Sequence, residues 1–256
     1  MLENLKIFLF KDKFGNHISK YKSFLLSSVF QPIFNHNNNI VGVEALLRIK
    51  DVSGESICPG FYFSDQNPDK EDKVTIDKIS RILHLNNFAS SQYCNKKLFL
   101  NLLPDAIKTL HSPCLYDIRF LREMKKLNIS SKQVVLELLE VGCDNLYELQ
   151  RSIGNLNNYG FNIAIDDFGS EHSNANRVSL ICSSVLKIDK SLLNQFMKGN
   201  KTNLTQAMKM ANIFKAQTVI EGIENQNQLD TMRALNIDMY QGYFLAMPQP
   251  IAPCPE

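Results

Sequence analysis

Acidic and amide side chains recur near the ends of successive apolar stretches of this chain, and their spacing is the first indication of chemistry. One lysine accompanies them, and the set is Glu44, Asn101, Glu137, Asp166, Asp167, Lys187, Glu221 and Gln241. A polar residue at a single strand end means little. In a barrel, however, the carboxyl ends of the strands meet at one rim, where active sites are found. The recurrence therefore predicts one site built from many strands.

The ligands in this predicted site are all oxygens, with no histidine among them. So many carboxylates on one rim repel one another unless cations neutralise them, and oxygen ligands favour hard ions such as Mg²⁺ or Mn²⁺. Adjacent Asp166 and Asp167 would let one carboxylate bridge two ions while the other serves the second. Two ions about 4 Å apart suit the displacement of a phosphoryl group. The spacing predicts a metal-dependent phosphoryl hydrolase.

Each of these residues, taken singly, also has a plainer interpretation. Glu44 could be a buried acid paired with Arg48, and Glu137 could end a solvated strand. The run 166–169 could be an ordinary turn, and Lys187 an ordinary surface lysine. Only their coincidence on one predicted rim favours the functional interpretation.

Short apolar runs that alternate with longer amphipathic stretches must position these side chains. Strands are predicted at 28–34, 40–49, 98–103, 134–139, 161–166, 184–189, 218–222 and 239–244, and helices at 72–91, 117–127, 144–159, 202–215 and 226–235. This alternation, without a linker rich in Pro, Gly or Ser, predicts one α/β barrel. The first two strands are joined only by residues 35–39, too few for a parallel crossover, so we expect them to form an antiparallel hairpin.

Composition excludes several classes of function. The 256 residues carry a formal net charge of +2 and are 44% hydrophobic. These values fit a folded domain and argue against a partner such as a DNA or RNA polymer. No apolar run approaches the ~20 residues that span a bilayer, so no membrane partner is expected. Six scattered cysteines without a CxxC pair, together with an N-terminal stretch interrupted by residues 11–13, favour a cytoplasmic protein.

Eight motifs in order resemble one known family. They are QPIF, IVGVEALLRI, LNLLPDAI, LELLE, AIDDFGS, LKID, VIEGIE and QGYFLAMP, and they are similar to those of EAL domains, the phosphodiesterases of the bacterial messenger cyclic di-GMP. The resemblance covers residues 24–250, leaving a short N-terminal segment at 1–23 and a tail at 251–256. It implies a TIM-like (β/α)8 barrel with an antiparallel first strand, and a homodimer.

The resemblance also implies a role for each matching residue. The expected ligands of two Mg²⁺ or Mn²⁺ ions are Glu44, Asn101, Glu137, Asp166, Asp167 and Glu221, and the expected catalytic residues are Glu44, Lys187 and Glu221. Lys187 would help to hold and activate the attacking water, and Glu221 is a base in some family schemes. The residues expected to contact the dinucleotide or the attacking water are Gln31, Arg48 and Gln241. Glu140 and Glu224 are expected to orient the neighbouring loops.

One loop departs from the family pattern. The family usually reads DDFGTGYSSL, whereas this chain reads DDFGSEHSNA, with Glu171 in place of a glycine and His172 in place of a tyrosine. Because every expected metal ligand is present, we expect an active enzyme. We expect Glu171 to point outward and to alter the dimer contact, since another buried charge would be costly.

Three functions are therefore compared. The favoured one is hydrolysis of cyclic di-GMP to linear pGpG. The second is a catalytically weak EAL domain that serves as a cyclic di-GMP receptor or protein-interaction module, against which the intact ligand set argues. The third is a lyase or aldolase with Lys187 as a Schiff base, which neighbouring carboxylates disfavour because they keep the amine charged.

Overall fold

The computed structural model describes residues 8–64, 69–103, 118–139, 146–169 and 183–251. Within them, eleven strands form one continuous sheet. The strands are β1 (Leu9–Lys11), β2 (His17–Tyr21), β3 (Phe24–Asn35), β4 (Ile40–Lys50), β5 (Ser56–Ile57), β6 (Lys97–Leu102), β7 (Val134–Leu139), β8 (Asn162–Phe168), β9 (Val185–Ile188), β10 (Gln217–Ile220) and β11 (Met239–Tyr240).

Eight of these strands close into a barrel. From β4 the order runs through β6, β7, β8, β9, β10 and β11 with parallel neighbours, and β3 closes the ring by pairing with both β11 and β4. Both of these pairings are antiparallel. The predicted barrel and the predicted antiparallel hairpin are confirmed. In the β3–β4 turn, the Asn35 side chain accepts hydrogen bonds from the backbone N–H groups of Asn37 and Asn39.

Helices cover the outside of the barrel. In the described ranges they are α1 (Pro59–Phe63), α2 (Lys70–Ala89), α3 (Ile118–Lys126), α4 (Leu146–Asn158), α5 (Lys190–Met197), α6 (Thr202–Phe214) and α7 (Gln226–Ala234), with a 3-10 helix at Ser131–Gln133. All five predicted helices are present, whereas α1, α5 and the β1–β2 hairpin were not predicted. Helix α2 begins two residues before its predicted start because Asp69 caps it by accepting a hydrogen bond from the Asp72 N–H. None of the helices described here is both long and apolar enough to cross a bilayer.

The barrel interior is filled by one apolar layer. Its members are Ile33, Phe99, Val135, Ala164, Val185, Val219 and Met239. Strand β4 contributes Gly42 to this layer. A larger residue would not fit, because a Cβ at this position would lie 2.8 Å from Cε2 of Phe99. The absent side chain leaves room for the aromatic ring. A second, larger core lies between the outer face of the sheet and the helices.

Candidate functional site

A polar layer lies directly above the apolar layer, towards the carboxyl ends of the parallel strands. Side chains two residues apart on a strand share one face, and each barrel strand has a polar residue two positions from its apolar-layer residue, or from Gly42 in β4. These residues are Gln31, Glu44, Asn101, Glu137, Asp166, Lys187, Glu221 and Gln241. The two-residue period therefore brings these eight predicted site residues to one rim.

Lys187 of β9 is the centre of this layer. Its ammonium Nζ lies 2.7 Å from Glu137 Oε1 and 2.8 Å from both Asp166 Oδ1 and Glu221 Oε1. Glu44 Oε2 is 3.6 Å away. The side chain of Lys187 is 1% exposed and that of Glu137 is 0% exposed. We refer to these five residues, one lysine and four carboxylates, as the rim cluster.

The pKa values of the rim cluster reflect burial and excess negative charge. Burial is the largest cause that raises the pKa of Glu221, to about 8, and the charge of Asp166 adds to it. Burial likewise raises the pKa of Glu137 well above its ordinary value. Burial alone would lower the pKa of Lys187, but the surrounding carboxylates outweigh it and raise that pKa well above the ordinary value. One lysine is thus too little positive charge for the acids around it.

Two glutamines complete the layer beside Glu44. The Nε2 of Gln241 donates a hydrogen bond of 2.6 Å to Glu44 Oε2, and the Nε2 of Gln31 donates one of 3.2 Å to the carbonyl oxygen of Ala246. Gly242 lets the chain turn immediately after Gln241, because a Cβ there would lie 2.2 Å from the Ile223 carbonyl oxygen. This turn ends β11 four residues before its predicted end.

Asp167 reaches the same site through an irregularity in β8. The pairing of β8 with β9 shifts register between Ile165 and Phe168, and Asp167 has a φ of 53°, an uncommon conformation for a residue other than glycine. Burial raises its pKa to about 6, with the Asp166 charge second. Ligand oxygens of Asp166, Asp167 and Glu221 all lie within 4.8 Å of one another. The bulge therefore places a second acid where the regular strand would point it away.

The donor set fits a divalent cation. Among the described residues, Glu137 Oε2 is buried and has no hydrogen-bond donor, although a buried carboxylate oxygen normally has one. With Asp167 the site contains five acids and one lysine. All the candidate ligand atoms are oxygens, as Mg²⁺, Mn²⁺ and Ca²⁺ prefer.

A cavity of about 380 Å³ opens above the rim cluster. Six of its lining residues were not predicted as site residues, and three of these, Asp189, Lys190 and Tyr243, have polar side chains. Asp189 caps α5 by accepting a hydrogen bond of 2.8 Å from the Ser191 N–H. An aspartate at the end of the predicted strand 184–189 was the available signal for this cap. Tyr243 is 63% exposed and directly follows Gly242. In the sequence, the available signal for a role of Tyr243 in the site was its position directly after Gln241 and Gly242.

The remaining predicted site residues differ in their placement. Asn101 belongs to the polar layer but is exposed and does not line the cavity. Arg48 is half-buried, and its Nη1 donates a hydrogen bond to the neighbouring Leu47 carbonyl oxygen. Glu224 is exposed at the cavity wall. Glu140, Glu171 and His172 lie outside the described residues.

Comparison with known proteins gives consistent matches. The sequence model described as "EAL domain" matches residues 22–248. The probable cyclic di-GMP phosphodiesterase PdeA of Escherichia coli (strain K12) is 33% identical over 141 residues, 52% of this chain, and this chain spans only 19% of that relative.

Solved structures of EAL proteins share the fold, and two of them serve as examples. A standalone versatile EAL protein from Vibrio cholerae O395, in its c-di-GMP bound form, matches with a TM-score of 0.76 at 23% identity, over 90% of this chain and 94% of that chain. The Bacillus subtilis YkuI protein, in complex with substrate c-di-GMP and calcium, matches with a TM-score of 0.74 at 25% identity, over 88% of this chain and 56% of that chain.

Proposed function

This chain belongs to the EAL domain family, and from that premise we propose that it is a metal-dependent phosphodiesterase that hydrolyses cyclic di-GMP to linear pGpG. The observation that carries the proposal is the rim cluster. A lysine fully buried among four carboxylates, with a cavity above it, is costly to fold. The cluster has a clear use if an added cation and a phosphate diester complete it.

Six residues would hold the cations, and we propose Mg²⁺ or Mn²⁺ as two ions. They are Glu44, Asn101, Glu137, Asp166, Asp167 and Glu221. A divalent ion supplies Lewis acidity at a phosphoryl oxygen when it is bound. The donor-free Glu137 Oε2 and the Asp166–Asp167–Glu221 cluster support this assignment. The calcium in the YkuI complex supports it as well.

The side chains of this chain would perform the remaining tasks. The Lys187 ammonium is held in one position by three carboxylates at 2.7–2.8 Å. Once a cation engages one of these carboxylates, the N–H that is released would orient an incoming water without a search among rotamers. Glu221 lines the cavity and is a candidate proton acceptor. In the reaction, the water oxygen bonds to phosphorus as the bond to the 3′ oxygen breaks. The water loses a proton and the 3′ oxygen gains one.

The cavity supports a small-molecule substrate. Its volume of about 380 Å³ lies in the range of ligand pockets, about 300–1,000 Å³. We propose that Gln31, Arg48 and Gln241 contact the dinucleotide or its attacking water, and that Arg48 would turn its guanidinium to a phosphate oxygen. We further propose that Glu140 and Glu224 orient the adjoining loops.

The organisation of the chain is also part of the proposal. We propose that residues 24–250 are the phosphodiesterase domain, that the protein is a cytoplasmic homodimer, and that Glu171 acts at the dimer contact. The scattered cysteines support a reducing compartment. Cys58 and Cys94 are free in the described part of the chain.

The test is incubation with cyclic di-GMP and chromatography for pGpG. We expect turnover with Mg²⁺ or Mn²⁺. With Ca²⁺ we expect binding without turnover, because its longer and looser coordination misplaces the reacting groups. Glu44→Ala should abolish turnover, whereas the matched variant Glu55→Ala, at an exposed position, should retain it. Full turnover in excess chelator would overturn the proposal, and metal-dependent binding without pGpG would favour the receptor function instead.

A further inference from the structure

A second cleft lies on the opposite face of the barrel, at the amino ends of the parallel strands. It has a volume of about 480 Å³, and it lies between the β3–β4 turn, the loop before β6 and the 3-10 helix. Its lining includes Lys96, Lys97 and Lys132 beside the amides of Asn39, Asn95 and Gln133. No Asp or Glu is among the described residues that line it. We refer to this feature as the basic cleft.

Gln133 fixes the two loops that carry the lysines. Its Oε1 accepts a hydrogen bond of 3.1 Å from the Ser130 N–H. Its Nε2 donates bonds of 2.9 Å and 3.3 Å to the carbonyl oxygens of Cys94 and Lys96. The 3-10 helix that carries Lys132 is therefore tied to the loop that carries Lys96. A cleft held in this way needs little reorganisation to receive a ligand.

Lys97 provides a second indication, independent of Gln133, that the basic cleft suits an anion. It is half-buried at the start of β6, and its Nζ donates a hydrogen bond of 3.0 Å to Gln217 Oε1. Burial lowers the pKa of this ammonium, and no carboxylate in the described ranges acts against that effect. A partly desolvated cation that faces an amide, with two further N–H groups to donate, gains free energy when an anion approaches.

We propose that the basic cleft binds the phosphate chain of a small molecule. Three lysines line one cleft, and their ammonium groups would suit an anion with several charges, because lysine binds phosphate as a point charge. The cleft volume is that of a small-molecule site. A nucleic-acid polymer is disfavoured because the chain has a net charge of only +2. This site is separate from the rim cluster and does not depend on the hydrolysis of cyclic di-GMP.

The test is calorimetric titration of the full chain with tripolyphosphate. The solution contains EDTA and about 0.15 M salt, so that surface charges are screened. Without divalent ions, the acids of the rim cluster repel the probe from the other face. We expect saturable binding that Lys132→Gln and Lys97→Gln each weaken by about tenfold, the loss of one charge-assisted hydrogen bond. Lys20→Gln, an exposed lysine of β2, is the matched control and should bind within about twofold of the unchanged protein.

The outcomes separate the proposal from general charge effects. Lys132 is exposed, so Lys132→Gln should fold normally and keeps the test valid if Lys97→Gln does not. A parallel titration with GTP identifies the source of the phosphate chain. Tighter binding of GTP, weakened by the same variants, would add a nucleoside contact to the proposal. Absence of saturable binding, or an equal loss in Lys20→Gln, would overturn it.

Discussion

Two buried polar groups in this protein differ in how their charges are balanced. Helix α2 buries Asp77, Arg81 and His84, with Ser28 of β3 beside them, and we refer to these four residues as the α2 cluster. Arg81 forms an ion pair with Asp77, and His84 Nδ1 lies 2.7 Å from Ser28 Oγ in a hydrogen bond. The rim cluster instead has four carboxylates around one lysine.

The difference separates a structural role from a functional one. In the α2 cluster one cation meets one anion and the histidine meets a hydroxyl, so the charges are balanced within the fold. In the rim cluster the acids outnumber the cation, and Glu137 Oε2 has no donor in the described part of the chain. An unbalanced group of this kind must hold extra protons or take up a cation from outside. The comparison therefore predicts that the α2 cluster determines stability and the rim cluster determines turnover.

Replacement of Lys187 should give the largest effect. Lys187→Met removes the cation that three carboxylates contact. We expect turnover to fall by about 10³-fold or more and the metal-free protein to lose about 3–5 kcal/mol of unfolding free energy. Added Mg²⁺ should restore more stability to this variant than to the unchanged protein. Urea unfolding with and without Mg²⁺ measures this, and near-normal turnover would contradict the assigned role of the rim cluster.

Arg81→Met tests the other side of the comparison. It removes the ion-pair partner of the buried Asp77, so we expect unfolding free energy to fall by about 3 kcal/mol. The turnover per folded molecule and its Mg²⁺ dependence should not change. Urea unfolding and product chromatography on the same sample measure both quantities. A shift in metal requirement would mean that the two clusters are coupled.

The titration of His84 predicts a smaller effect. Burial, with the nearby Arg81 cation second, lowers its pKa from 6.5 to about 3. Below pH 6.5 the unfolded chain binds this proton and the folded chain does not, so stability falls as the pH falls from 6.5 to 3. Between pH 6.5 and pH 5 the loss is about 2 kcal/mol. His84→Gln should lack this part of the pH dependence, as urea unfolding at the two pH values would reveal; equal slopes would contradict it.

The rim cluster should show the opposite pH dependence in metal-free protein. The raised pKa of Glu221, about 8, means that the folded chain holds this proton more tightly than the unfolded chain between pH 4.5 and pH 8. Its contribution to stability is therefore present at low pH and is lost as the pH rises through 8. The unchanged protein and His84→Gln should therefore both be measured in EDTA, so that the contribution of Glu221 to the pH dependence is the same in the two proteins.

Ser28→Ala should give the smallest effect. It removes the hydroxyl that contacts His84 and should lower unfolding free energy by about 1 kcal/mol, the usual contribution of a hydrogen bond. Ser23→Ala, at an exposed position of the β2–β3 turn, is the matched control and should change stability by less than about 0.5 kcal/mol. A loss of turnover in Ser28→Ala would contradict a purely structural α2 cluster.

Much of the barrel could be predicted from the sequence because its apolar runs are regular. Strand β7 has its predicted bounds, residues 134–139. All eight barrel strands were predicted, since each apolar run is followed by a turn or helix signal. Helix α5 was missed because it has only eight residues and buries only Leu192 and Leu193. Such a short stretch has too few apolar positions to show a helical period.

The composition of the site was more predictable than its geometry. A two-residue period is sufficient to place Glu137 or Asp166 on the inner face. The contacts of Lys187 with carboxylates from four other strands depend on the register of the closed barrel. The positive φ of Asp167 depends on a bulge that tertiary pairing creates. The roles of Glu140, Glu171 and His172 stay predictions, since these residues lie outside the described ranges.

The antiparallel strand β3 has a consequence for the order of folding. It is the seam of the barrel, pairing with its sequence neighbour β4 and with β11, where Asn35 meets Met239 and Phe34 meets Tyr240. The first pairing is local and forms early, whereas the second must wait until almost the whole chain has been synthesised. Until then the edge of β3 opposite β4 is paired with β2 at residues 24–26, and the rest of that edge has backbone groups that another chain could join. Closure of the barrel is therefore also the step that ends this protein's exposure to aggregation.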